Sequence, residues 1–218
     1  MSAAVARVLS VNVGSPRTFE TARRAVTSGI WKSPVVGRVR ARGVNLDGDA
    51  PADRVNHGGP HKAIYAYATE DLAFWEHHLG RQLEPGAFGE NLTTVGIDPN
   101  AALIGERWAI GSSVLEVSEP RSPCYKLGLR HADPTLVRAF VAAQRPGAYL
   151  RIIQAGDIGA GDSIEVVWRP DHDVTICLAF QAWLVDRSLV SRLRRAPQLP
   201  PAWKHWIDAD PERPVTFE

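Results

Sequence analysis

Cysteine is almost missing from this chain: Cys124 and Cys177 are the two in 218 residues. So few exclude a disulfide framework, leave room for one bridge at most, and cannot build a four-cysteine iron–sulfur cluster. A reducing cytoplasm is therefore the expected compartment. No uncharged run approaches the roughly 18 residues of a membrane span. The N-terminal MSAAVARVLSVNVG carries Arg7 inside its apolar stretch and reads as a first strand, not a signal peptide. An excess of one charge is missing too. Lys and Arg number 25 against 24 Asp and Glu, so no global field marks a binder of nucleic acid or membrane surfaces. The basic residues also lack interleaved aromatics. There is no G-x-x-x-x-G-K-[ST], G-x-G-x-x-G, G-x-S-x-G, H-E-x-x-H or Cys-x-x-Cys, and no internal repeat.

What is present is enough apolar residue, 44% against 22% charged, to bury a core. The first two-thirds reads as β. VARVLSVNV (5–13) is β-branched, and VVGRVRARG (35–43) alternates Val35, Val39 and Ala41 on one face with Arg38, Arg40 and Arg42 on the other. AIYAYA (63–68), RWAI (107–110) and SVLEVS (113–118) are further strands. AYLRIIQAG (148–156) and DSIEVVW (162–168) read as a pair joined by DIGAG. Two helices interrupt. In TEDLAFWEHHLG, Thr69 is the expected cap, Leu72, Trp75 and Leu79 the buried stripe, and Gly80 the stop. In DPTLVRAFVAAQ, Asp133 caps and Pro134 opens the helix, with Leu136, Val137, Phe140 and Val141 inward.

After Pro170 the texture becomes helical, in three short pieces. Strands followed by helices predict a mainly β fold, a closed or half-closed β-barrel with interspersed helices over 1–169, and a small all-α appendage over 170–218. Trp183, Trp203 and Trp206 in so small a region point to a packed surface, and the oligomeric state stays open, homodimer included.

Three stretches carry chemistry. In PRSPCYKL (120–127), Cys124 lies between two prolines that stiffen its loop and Arg121 and Lys126, whose charge favours a thiolate. Without those neighbours a lone cysteine reads as core, as Cys177 does within TICLAF. DRVNHGGPHKA (53–63) offers two glycines for close backbone approach and Arg54, His57, His61 and Lys62 as donors to an anion, or it is a plain turn. His57 and His61 could join Cys124 around zinc, but no second ligand cluster of matching spacing accompanies them. GAFGENLTT (86–94) sets Glu90 and Asn91 after two glycines, and alone reads as a turn. VNVGSPR and GIWKSPV each place a basic residue beside a turn. His77 and His78 read as a solvated helix end.

Together, HGGPHKA, FGENLTT and PRSPCYKLGLR, in this order, resemble the MOSC domain family, and within it the YiiM group linked to resistance against hydroxylaminopurine. VNVG, GIWKSPV and the final helices fit the same pattern. The resemblance implies a β-barrel holding a molybdenum cofactor (molybdopterin), with Cys124 as the metal ligand, and reduction of N-hydroxylated substrates such as hydroxylaminopurines to amines. The shell expected around the cofactor is Arg54, His57, Gly58, Lys62, Asn91, Arg121, Ser122 and Lys126, with His57 or Tyr125 relaying protons. Electrons would come from a separate flavoprotein reductase, since the chain has no cluster or dinucleotide signature of its own. The same cysteine also serves a module that only carries the cofactor or sulfur, and an inert cysteine in an interaction protein is a further alternative.

Overall fold

Val39 and Ala41 are buried and Arg38, Arg40 and Arg42 stand in solvent, so the alternation in this stretch makes a strand with one wet face. The computed structural model describes residues 5–20, 25–50 and 58–209. Its strands are β1 (Arg7–Val13), β2 (Arg17–Glu20), β3 (Ala25–Ser28), β4 (Ser33–Pro34), β5 (Arg38–Arg42), β6 (Asn45–Leu46) and β7 (Ile64–Ala68). There follow β8 (Leu92–Val95), β9 (Arg107–Ile110), β10 (Ser113–Pro120), β11 (Ala148–Gln154), β12 (Gly156–Gly159) and β13 (Ile164–Trp168). The helices are α1 (Thr69–Leu79), α2 (Tyr125–His131), α3 (Leu136–Ala143), α4 (Ile176–Leu184), α5 (Val190–Leu193) and α6 (Pro201–Ala209).

Eight strands form one mixed sheet in the order β13-β9-β10-β11-β7-β8-β1-β4. Only β7 and β8 run parallel. A parallel pair needs a crossover, and α1 with the glycine turn after it supplies one. The sheet curls until the start of β1 meets the start of β13. Val8 N donates to Asp162 O, Gly161 N to Val8 O and Ile164 N to Ala6 O, at 2.8–2.9 Å. This seam holds one bridge, Arg7–Ser163, in place of a ladder. The sheet-rich fold with interspersed helices stands, whereas a closed barrel of continuous ladders does not form.

Three local expectations change. DIGAG does not join a hairpin: β11 pairs with β10 and β7, β13 with β9, and Gly156–Gly159 is itself a strand against β5. Thr69 is the first helical residue of α1, behind an uncapped Ala68, while Gly80 ends the helix at φ 64° as expected. The α3 helix starts at Leu136, two residues later than read. Asp133 Oδ1 instead accepts from Thr135 N (2.8 Å) and Thr135 Oγ1 (2.6 Å), capping the turn before it.

Val174, Ile176, Ala179, Leu193, Trp203 and Ile207 of the helical region join the same buried cluster as Val8, Ile110 and Leu115 of the sheet. Thr175 Oγ1 caps α4 by accepting from Leu178 N (3.0 Å). Trp203 Nε1 donates to Glu119 Oε2 of β10 at 2.7 Å. A second cluster, with Trp75, Phe88, Leu127, Phe140 and Phe180, fills the space under α1, α2 and α3. Among the described residues no helix is long and apolar enough to cross a membrane.

Candidate functional site

Glycine permits the close approach on which the site depends. Segment 28–32, between β3 and β4, lies against the 86–90 turn. A Cβ on Gly86 would come within 2.8 Å of Lys32 O, and one on Gly89 within 2.9 Å of Ile30 Cγ1. Both glycines also hold positive φ, 87° and 75°, which side chains resist. A Cβ on Gly14 would run into Trp31 O. The motifs around Gly14, Lys32 and Glu90, each unremarkable as a turn, therefore share one seam.

Buried polar groups bind that seam. Glu90, fully enclosed, accepts from Gly86 N (2.6 Å), Phe88 N (2.9 Å) and Thr93 Oγ1 (3.0 Å). Burial pushes its carboxyl above the ordinary range, opposed by those donors. Asn12 Nδ2 donates to Thr93 Oγ1 (3.0 Å) and to Glu90 O (3.2 Å), and Ser10 Oγ donates to Asn12 Oδ1 (2.8 Å). Asn91 Nδ2 donates to Asn12 O (3.2 Å) and to Asp49 Oδ2 (3.0 Å), and its Oδ1 accepts from Tyr65 N (3.1 Å). Asp49 Oδ1 accepts from Gly14 N (2.8 Å) and from the Lys32 ammonium.

Lys32, Asp49 and Asn91 of this network line an open cleft. Cys124, Lys126, Lys62, Arg121, Tyr65 and Tyr149 line the same cleft. Strand β10 ends at Pro120, and its last residues deliver Arg121 and Cys124 to the opening. Cys124 is buried in extended geometry immediately before α2, its carbonyl accepting from Leu127 N at 2.9 Å. Arg121 is buried, donates to Phe88 O, and sits 5.0 Å from the Tyr65 ring centre. A guanidinium keeps its charge in such a place. Burial pushes the Tyr149 phenol up to about 12, and Tyr65 donates its hydroxyl to Pro146 O at 2.7 Å. Both phenols are protonated at neutral pH.

Of the residues singled out from sequence, Lys62, Asn91, Arg121, Cys124 and Lys126 meet in the cleft. Gly58 and Ser122 lie outside its lining, and Ser122 Oγ makes only a long contact to Pro123 O (3.5 Å). Tyr125 lines a separate apolar groove with Leu129, Ala132 and Val137. Arg54 and His57 lie outside the described residues. Among the described residues no group of three His, Cys, Asp or Glu could hold a metal ion. Cys177 is half-buried, its thiol pushed up by burial and set 3.7 Å from Gln144 O. Sequence reasoning missed Asp49, Tyr65 and Tyr149, which carry no local signal, and treated Lys32 as one basic residue beside a turn.

His131, at the end of α2, braces the glycine turn. Its Nε2 donates to Ala87 O (3.0 Å) and its Nδ1 faces Arg81 Nη2 at 2.8 Å, which fits a neutral ring. Burial first, then Arg81, Arg130 and Arg121, hold its pKa down at about 4. The unfolded chain takes up a proton here near pH 6.5 and the folded chain does not. This residue's contribution is thus complete above about pH 6.5 and is lost as pH falls towards 4. Urea midpoints at pH 7 and pH 5 should drop more for wild type than for His131→Gln. Equal drops would refute the assignment.

Comparison with known proteins places this geometry. The MOSC domain family profile matches residues 53–165. Protein YiiM of Escherichia coli is 32% identical over 182 residues, 81% of each chain. A protein of Gibberella moniliformis named "Reductase" is 33% identical over 149 residues, 66% of this chain but 26% of its own length. The crystal structure of YiiM from Geobacillus stearothermophilus superposes with a TM-score of 0.76 at 30% identity, covering 93% of this chain and 97% of that one.

Proposed function

This chain belongs to the MOSC domain family, in its YiiM-like branch, and on that premise we propose that it is a molybdenum-cofactor-dependent reductase of N-hydroxylated compounds. The observation that carries the reading is the buried Cys124 thiol at a cleft that also presents Lys62, Arg121 and Lys126. The donor set fits the group. Sulfur is the soft ligand molybdenum takes, the cations suit a pterin phosphate, and Asn45 offers an amide to its polar edges. When bound, the cofactor supplies two-electron reduction and a place for the substrate oxygen.

The protein does the rest. The strand end and α2 fix Cys124 so that it presents one face to the cleft. Arg121, pinned by Phe88 O and the Tyr65 ring, holds positive charge in the same cleft as the thiol. Lys62 and Lys126 attract the phosphate, and the Asn91 side chain is held by three hydrogen bonds and cannot turn away. Ile30 and Val44 give the opening an apolar lip suited to a flat base. The name of the Gibberella relative agrees with a reductase, although this chain spans about a quarter of it. Electrons would arrive from a separate flavoprotein.

A carrier of sulfur on the same cysteine is the second reading. Elemental analysis of protein from a cofactor-making host separates the two. We expect molybdenum approaching one per chain and reduction of 6-N-hydroxylaminopurine with a chemical electron donor. Labile sulfur on Cys124 without molybdenum would sink the reductase.

A further inference from the structure

Removing oxygen from an N-hydroxy group consumes protons as well as electrons; of the residues singled out for the relay, Tyr125 lines another groove and His57 lies outside the described residues, while the Tyr65 hydroxyl at the cleft donates its hydrogen bond to Pro146 O. On the reductase reading, we propose that Lys32 is the acid that protonates the departing hydroxyl, with Asp49 holding its ammonium at the cleft wall.

Both side chains are almost enclosed, 9% and 4% exposed, yet both line the cleft. Gly14 N and Asn91 Nδ2 fix Asp49, and Asp49 in turn is the one acceptor of the Lys32 ammonium among the described residues. An ammonium has three N–H groups, so two remain for a group in the cleft. The backbone is held as well, since Lys32 O sits where Gly86 admits no side chain. A long flexible residue is thus fixed at both ends. Burial lowers its pKa, Asp49 and Glu90 raise it, and Arg121 lowers it, with a net fall below the ordinary lysine value. Cys124, Lys62 and Lys126 share the cleft. An easier proton loss is what a general acid needs.

The balance is R–NH–OH + 2 H⁺ + 2 e⁻ → R–NH₂ + H₂O. The N–O bond breaks, and the bound cofactor would supply the two electrons, with the flavoprotein as their source. One proton passes from Lys32 Nζ to the leaving oxygen and the other reaches nitrogen from solvent. The neutral lysine regains its proton from water at the mouth.

Lys32→Arg keeps the charge against Asp49 but has no proton to release at working pH. We expect molybdenum content equal to wild type, KM within about threefold, and kcat lower by about 100-fold or more. The alkaline fall of kcat in wild type, where Lys32 loses its proton, should vanish in the variant. A second readout needs no cofactor. With ¹³C-labelled lysine, the Cε resonance missing from Lys32→Arg should titrate below the bulk lysines in wild type. Wild-type kcat in the loaded arginine variant, or a Lys32 resonance that titrates with the bulk, would overturn the role of Lys32 alone. A wild-type protein that takes up no molybdenum would overturn the reductase reading and this role with it.

Discussion

Cys124→Ser is expected to empty the protein of molybdenum and to abolish reduction of N-hydroxylated substrate, while leaving the fold intact. Serine differs from cysteine by one atom and suits the same extended position before α2. Its oxygen is hard and stays protonated, so it is no substitute for a thiolate toward a soft metal site. The backbone around it keeps its bonds, Leu127 N to the residue-124 carbonyl among them. A change in unfolding free energy of about 1 kcal/mol should follow, since a hydroxyl replaces a thiol at the lining of an open cleft, where water can partner it. Wild type and variant are prepared side by side, with metal content, turnover and urea unfolding measured on each. An inert, structural cysteine would show the reverse, with stability lost and cellular resistance to hydroxylaminopurine untouched. That outcome would also remove the basis for a carrier.

Glu90→Ala is the second large effect, and it acts on the frame of the cleft. The substitution leaves Gly86 N, Phe88 N and Thr93 Oγ1 without their acceptor in a fully enclosed place. Each orphaned buried donor costs about 1–3 kcal/mol, so a total of at least about 3 kcal/mol is expected. Against a domain stability of roughly 5–15 kcal/mol that is a large share. The 86–90 turn also carries Phe88 O, the acceptor of Arg121, and presses on the Lys32 segment. Affinity for the cofactor should therefore fall even where the variant folds. Glu90→Gln should lose less, because its remaining oxygen still serves some of the donors while its amide opposes another. A loss below about 1 kcal/mol in Glu90→Ala, measured by urea unfolding, would mean that these hydrogen bonds are replaced by water.

Much of the frame was readable from local pattern. The arginine alternation of β5, the stripe of α1 and the three helical pieces after Pro170 all formed. The α2 helix was not readable. Its YKLGLRH is short, interrupted by Gly128, and preceded by two prolines that signal a loop. Gly128 is there for a tertiary reason: a Cβ would come within 2.9 Å of Asp133 O. The DIGAG stretch failed similarly, since its glycines resemble a hairpin turn but pair with β5 across the fold.

By itself the sequence determined the residue types at the cleft and the odd setting of Cys124, because stiff prolines and nearby cations are properties of neighbours in the chain. It also marked the His-Gly-Gly, Gly-Glu-Asn and cysteine stretches as one pattern. Only the tertiary structure decided that Asp49, Lys32 and Asn91 join in the cleft that holds the thiol, and that Tyr125 lines another groove. The physical reason is range. Propensity and periodicity act over a few residues, whereas a network joining Asn12, Lys32, Asp49 and Asn91 depends on which strands pair and on glycines that let them touch.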